Sequence, residues 1–248
     1  MRADLPWYRR TGVRIAISVL AVFVIGIGFF TYQIWHYYSL FKSGEKTPFQ
    51  NEQMRASIAY KFDVSENTDQ SRILPQQKQP ELGSATASVV VVEFLDYDCP
   101  FCRESEAIIK EFLRIHASEV RFIVREFPIA ELHPEAEDAA AAARCVFLQN
   151  KPKSYWTFQD RLFGTQGTHD VDSLRIYAGQ TGIDISKYDD CILRRIPQAA
   201  LQASLDDGIA SGVRGTPTFF FNGVKFEGVM TLPEMEEAFA QAKQRVKK

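Results

Sequence analysis

Cys99-Pro100-Phe101-Cys102 is the segment of this sequence best suited to chemistry. A two-residue spacer lets two thiols close into a small, reversible disulfide, and the sulfur whose thiolate is better stabilised both attacks and leaves readily. Half of a zinc site and a pair of inert buried thiols are the other uses of this spacing. Zinc needs two more ligands at suitable positions, whereas Cys145 and Cys191 are isolated and His133 has no ligand neighbour in the sequence. Six positions before Cys99, Glu93 interrupts the apolar run Val89-Val90-Val91-Val92-Glu93-Phe94-Leu95. An unpaired carboxylate inside such a strand carries a large desolvation cost, so Glu93 should have a partner or a raised pKa. The alternative is an edge strand, from which Glu93 points to water.

These residues need elements to hold them. The β-branched run 89–95 has the signature of a strand buried on both faces. A helix should begin at the cysteines, because Ala107, Ile108, Ile109, Phe112, Leu113 and Ile115 recur near a 3.6-residue period. Pro100 fits the first turn, which needs no N–H from it. Cys99 then stands at the helix N-terminus, where unpaired N–H groups favour a thiolate, and Cys102 lies one turn deeper. A second strand is expected over 120–127, stopped by Pro128. Helices are predicted over about 132–149, 153–165, 171–181, 186–194 and 197–211. Thr218-Phe219-Phe220-Phe221, Asn222-Gly223 and Val224-Lys225-Phe226 read as a hairpin, and a final helix over 232–246 closes the chain. The fold class is therefore α/β with a helical insertion at about 129–211. Tyr155, Trp156, Phe158, Leu162 and Phe163 are at core spacing, His116, His133 and His169 suggest no ligand set, and no phosphate-cradling glycine motif occurs.

The 248 residues carry 29 Lys plus Arg against 31 Asp plus Glu, a net charge of -2, which gives no reason to expect nucleic acid as a partner. A mean hydropathy of -0.18 excludes a polytopic membrane protein but not a single span. From Ile15 to Trp35 there is no charged residue. At about 1.5 Å per residue this run covers roughly 31 Å, the thickness of a bilayer's hydrocarbon core. Arg2, Arg9, Arg10 and Arg14 precede it with Asp4 as the one acid, so residues 1–14 should stay cytoplasmic and the rest be exported. Trp7 and Tyr8 before it, and Tyr32, Trp35, Tyr37 and Tyr38 after it, suit the interfaces. A cleaved signal peptide is the competing reading, against which no small-x-small site follows Phe30. Residues 36–80 read as a polar tether, with a possible helical turn or two at Ala56–Phe62, and residues 81–248 as the folded domain. Lys247 and Lys248 suit a helix end. Outside the cytosol, Cys145 and Cys191 would form a structural disulfide; two packed free thiols are the alternative.

The blocks Glu93-Phe94-Leu95-Asp96-Tyr97-Asp98-Cys99-Pro100-Phe101-Cys102, Arg125-Glu126-Phe127-Pro128 and Gly212-Val213-Arg214-Gly215-Thr216-Pro217-Thr218 resemble the DsbA-like thiol:disulfide oxidoreductases of the thioredoxin superfamily. The resemblance covers roughly residues 81–248 and implies a thioredoxin-like fold with an inserted helical subdomain, preceded here by one transmembrane helix. It implies that Cys99 is the nucleophile, Cys102 the resolving cysteine and Glu93 a buried acid assisting it. Pro217 would be a cis-proline, with Thr216 before it pairing an extended substrate beside Pro100 and Phe101. No cofactor or metal is implied. The expected partners are reduced or unfolded exported proteins and a membrane protein that reoxidises the pair, and the chain is expected to be a monomer on the periplasmic side. Disulfide isomerase or reductase activity, or a chaperone-like binding module using the same groove, are the alternatives.

Overall fold

The structure, a computed structural model, describes residues 11–43, 73–74 and 77–246. The N-terminal arginines, Asp4, Trp7 and Tyr8, most of the tether with Ala56–Phe62, and Lys247 and Lys248 lie outside the described residues, as do the side chains of Arg14, Tyr37 and Tyr38. The chain divides into two units, Met1–Ile58 and Ala59–Lys248.

In the first unit, helix α1 (Thr11–Ser43) extends past both ends of the apolar run. Its segment Ile15–Trp35 is long and apolar enough to cross a membrane, and none of that segment is buried in protein. The Thr31 hydroxyl donates to the carbonyls of Ile27 and Gly28, each 3.0 Å away. The hydroxyl is thus satisfied within the helix, as a lipid environment demands. One N-terminal apolar helix of this kind fits a membrane anchor.

The second unit is built on a five-stranded sheet of order β1-β3-β2-β4-β5, with β1 (Glu81–Gly83), β2 (Val89–Leu95), β3 (Val120–Glu126), β4 (Thr218–Phe221) and β5 (Val224–Glu227). Helix α2 (Pro100–His116) makes the crossover between the parallel strands β2 and β3, and the other pairings are antiparallel. Strand β2 lies at the centre, where Glu93 is paired across to Val124 on one side and Phe219 on the other. That placement overturns the edge-strand alternative for Glu93.

Strand alternation divides the core. Val89, Val91 and Leu95 face one layer with Phe112, Phe219 and Phe221, and α8 (Leu232–Val246) adds Met235 and Phe239. Val92 and Phe94 face the other, with Ile123, Phe127 and Phe220. The insertion between β3 and β4 comprises α3 (Ala136–Phe147), α4 (Pro152–Gly164), α5 (Val171–Gly179), α6 (Ile185–Leu193) and α7 (Gln198–Ala210). Ala139, Ala140, Ala142 and Ala143 make α3 thin enough for its neighbours to close over it, and the Cys145–Cys191 disulfide ties α3 to α6 with a Cα–Cα distance of 5.8 Å. Gly208 of α7 lies against the sheet, where a Cβ would come within 2.7 Å of the Phe127 ring.

Two boundaries differ from the sequence expectation. The helix expected from 132 starts at Ala136, because Pro134 disfavours helix at the preceding residue and His133 turns back to Asp96, with Nδ1 2.8 Å from Oδ2. The domain also begins before residue 81. Ile73 is buried against Val92 and Phe94, its carbonyl accepts from Arg125 Nη1 at 3.2 Å, and the Pro80 carbonyl accepts from Val124 N at 3.0 Å. A single apolar residue within a polar run has no periodicity to reveal it.

Candidate active site

Strand β2 delivers the chain into a tight turn, Asp96-Tyr97-Asp98, before α2. The buried Asp96 carboxylate organises this turn: Oδ1 accepts from Asp98 N and Oδ2 from Ile129 N, each at 2.9 Å. The Cys99 N–H donates to the Asp96 carbonyl at 3.2 Å, closing the turn. Cys99 has extended geometry (φ -72°, ψ 119°) at the N-cap position, followed by Pro100 in the first turn of α2. Local chemistry thus places a thiol at the end of a helix whose first N–H groups have no carbonyl partner.

Cys99 and Cys102 are both free thiols. Cys99 keeps a sliver of exposure, 4%, while Cys102 has none. A hydrogen bond with the Cys102 side chain lowers the Cys99 pKa from its ordinary 9.0 to about 6, against the opposing effect of burial and with further help from Thr216 and the N–H groups of Cys102 and Phe101. Burial pushes the Cys102 thiol in the other direction, well above the ordinary value, reinforced by its hydrogen bond to Cys99 and the charges of Cys99 and Glu93. Two cysteines three residues apart are thereby made unlike.

Across the site, the Cys99 thiol donates to the Thr216 carbonyl at 3.2 Å. The Thr216–Pro217 peptide is cis. Its loop is braced by Thr218 Oγ1, which donates to the Gly215 carbonyl at 2.7 Å, and by the buried Lys225, whose Nζ donates to the Gly212 carbonyl and the Glu227 carboxylate at 3.0 Å each. Pro100 and Phe101 are exposed beside Cys99. Thr216, Pro217, Pro100 and Phe101 thus gather around one sulfur. Cys145 and Cys191 sit in the insertion as a disulfide, away from this corner.

Glu93 is buried on the α2 side of β2, and its Oε2 has no hydrogen-bond partner among the described residues. Burial first, then repulsion from Glu106 and Cys99, raises its pKa well above the ordinary carboxylate range. Glu106, on the same helix face as Cys102, is likewise raised by burial while Lys110 at 3.1 Å pulls it down. A cavity of about 330 Å³ lined by Glu106, Lys110, Trp156 and Gln159 among others opens beside it. Nothing in the sequence marked Glu106, one helical turn after Cys102, as functional. Gln166 and His169, which reach the cysteine turn from the insertion, carried no such signal at all. Among the described residues no group of three or more His, Cys, Asp or Glu is placed to hold a metal ion.

Comparison with known proteins agrees with this geometry. A family model described as Thioredoxin matches residues 76–240. A solved structure described as a thioredoxin-like oxidoreductase from Silicibacter pomeroyi superposes with a TM-score of 0.64 at 26% identity, covering 71% of this chain and 98% of that one. The thiol-disulfide exchange protein alpha-DsbA2 from Wolbachia pipientis gives 0.62 at 24% identity, covering 69% and 90%; at that identity the likeness shows the fold. Among curated proteins, the Na(+)/H(+) antiporter NhaA 3 of Salinispora tropica is 30% identical over 167 residues, 66% of this chain but 25% of the antiporter. The chain spans about a quarter of the length of the curated relatives it matches. With the family match covering most of the folded unit and the paired thiols set at the end of its central strand, the chain belongs to the thioredoxin family.

Proposed function

We propose that this chain is a membrane-tethered oxidase that introduces disulfides into exported proteins. In this reading residues 15–35 cross the membrane with the N-terminus in the cytoplasm, and the folded domain works on the periplasmic side. The observation that carries the proposed direction is the unlike placing of the two thiols: Cys99 stands at the N-cap of α2 with a sliver of exposure, where its pKa is lowered, and Cys102 is wholly buried, where its pKa is raised. A stabilised thiolate favours the reduced pair, so the disulfide form is a strong oxidant. The folded-state pKa is depressed, so the thiolate's contribution to the reduced fold is fully present above the ordinary value near 9.0 and is lost as pH falls through about 6.

In the proposed cycle a substrate thiolate attacks Cys99 Sγ of the Cys99–Cys102 disulfide, and Cys102 leaves as the thiolate and is protonated with help from Glu93. The substrate's second thiolate then attacks its own sulfur in the mixed disulfide and releases Cys99 as a thiolate. Two electrons pass to the domain, and a membrane partner must remove them. Thr216 and Pro217, with Pro100 and Phe101, would hold the substrate strand by main-chain contacts that tolerate many sequences.

Equilibration of the full chain with glutathione tests the direction. A potential above about -180 mV is expected, falling by about 59 mV per pH unit below pH 6 and about 30 mV above it, because only one proton then accompanies two electrons. A potential near about -270 mV would make the chain a reductase. Absence of turnover on a reduced protein would make it a binding module.

Glu93→Gln is expected to slow every step that protonates or deprotonates Cys102 while raising the thermal midpoint by a few degrees at pH 7. Because the Glu93 pKa is raised, its charged form destabilises the fold above the ordinary 4.5, and the gain should vanish as pH falls toward that value. Rapid-mixing exchange kinetics and melting curves at two pH values check this. Unchanged kinetics with unchanged stability would refute it.

A further inference from the structure

The loop that carries Thr216 and Pro217 leaves α7 and enters β4, and its two ends are held in different ways. At the upstream end α7 closes with Gly212 in the left-handed region (φ 77°). Gly212 N donates to the Ile209 carbonyl at 3.0 Å and Val213 N to the Gly208 carbonyl at 2.9 Å, the helix ending that a glycine permits. The Gly212 carbonyl then accepts from Lys225 Nζ at 3.0 Å. At the downstream end the Pro217 carbonyl accepts from Gly228 N at 2.8 Å and the Gly215 carbonyl from Thr218 Oγ1 at 2.7 Å, while the Thr216 carbonyl faces Cys99.

Lys225 is only 3% exposed, a depth at which lysine is seldom found. It is paired across to Phe220, so it shares the sheet face of Phe220, Val92 and Phe94 and not that of the cysteines. Its Nζ is satisfied by two acceptors, the Gly212 carbonyl and Glu227 Oε1, each at 3.0 Å. The side chain thus crosses from the edge strand to the end of α7. Among the described residues no other side chain bonds the main chain of the loop upstream of Gly215. In that stretch the main-chain N–H groups of Arg214 and Gly215, and that of Thr216 after them, have no acceptor among the described residues. They adjoin the Thr216 carbonyl, which lies 3.2 Å from Cys99 Sγ. A run of unpaired donors beside the reactive sulfur is what the main chain of an extended segment pairs with.

We propose that Lys225 is a positioning residue for substrate: by holding the Gly212 carbonyl it keeps residues 212–215 in the shape whose N–H groups meet an extended chain. The Thr216–Pro217 end is held without it, so Lys225 governs how tightly a chain is taken up and bears little on the reactivity of Cys99. The inference rests on the proposed uptake of an extended substrate by this loop. Lys225 acts through the loop and lies on the other face of the sheet from the reacting sulfurs.

The test is single-turnover oxidation of a reduced two-cysteine peptide, and of dithiothreitol, by the full chain in detergent with Cys99–Cys102 first oxidised. In both reactions two thiols become one disulfide as Cys99–Cys102 takes up two electrons and two protons. Lys225→Met should raise the half-saturating peptide concentration about tenfold and change the maximal rate by less than about twofold, because the loop must now be ordered as the chain binds. Dithiothreitol offers no main chain, and its rate should fall by less than about twofold. A folded Lys225→Met protein with the wild-type half-saturating concentration would overturn the inference. An equal loss with both reductants would also overturn it, since that is what a merely structural role gives. Should Lys225→Met lack a cooperative melt, Lys225→Met combined with Glu227→Leu, which leaves no polar partner buried alone, decides by the same two rates. Wild-type rates that rise with peptide concentration without saturating would overturn the strand-binding reading, and the role of Lys225 with it. Saturation in the wild type with no change in the variant overturns the role of Lys225 alone.

Discussion

Cys102→Ser is expected to convert the domain into a covalent trap. Given an oxidised peptide, the Cys99 thiolate attacks one sulfur, the other leaves as a thiol, and a mixed disulfide remains at Cys99. In the wild type the thiol of Cys102 lies within hydrogen-bonding reach of Cys99 and completes the exchange within the molecule. Well-placed intramolecular groups carry effective concentrations of about 10⁵ M and above, so losing Cys102 should slow release by at least ~10³-fold. Cys99→Ser should form no adduct, because the remaining sulfur is wholly buried and its thiolate strongly disfavoured. Intact mass under non-reducing conditions reads both outcomes. Release of the adduct from Cys102→Ser at the wild-type rate, or an adduct on Cys99→Ser, would reverse the proposed order of attack.

Much of this arrangement was legible in the chain because its signals are local. The run 89–95, the cysteines at the following helix start and the Asn222-Gly223 turn each lie within a few residues, where periodicity and turn chemistry speak directly. Glu93 announced itself as the one charged residue in an apolar strand, and the structure shows why that reading had force: the strand is central and the carboxylate has nowhere wet to go. What the sequence hid is long-range. Gln166 meets Cys99 across 67 positions, and His169 reaches Asp98 from the middle of an insertion whose docking angle no periodicity encodes. Strand β1 escaped notice because three exposed residues are too few to alternate visibly. Ile73 escaped for a related reason, as one apolar residue among polar ones is ordinarily a surface residue.

Arg144→Met should be the most damaging substitution outside the cysteine pair. Glu126, at the end of β3, is fully buried, and Arg144 of α3 is 3% exposed. Arg144 Nη2 donates to Glu126 Oε2 at 2.6 Å and Nε to the same oxygen at 3.0 Å, while Nη2 also donates to Gln79 Oε1. Three segments, the stretch before β1, the end of β3 and the first insertion helix, therefore meet on one guanidinium. Removing it leaves a buried carboxylate with no counter-charge, which costs about 3–5 kcal/mol. For a domain of this size that lowers the thermal midpoint by roughly 6–20 °C. Glu126→Leu added to Arg144→Met should recover most of the loss, because an apolar pair of similar volume has no charge to desolvate. Thermal melts of the single and double variants at pH 7 measure the coupling. A single-variant loss below about 1 kcal/mol would mean that Glu126 reaches water once Arg144 is gone. The stakes extend to the chemistry, since Glu126 and Arg144 act electrostatically on Tyr97 and Tyr155, whose hydroxyls are 2.8 Å apart. Tyr97 belongs to the turn that presents Cys99, so the pair that joins the insertion to the sheet also backs the residue two places before the nucleophile.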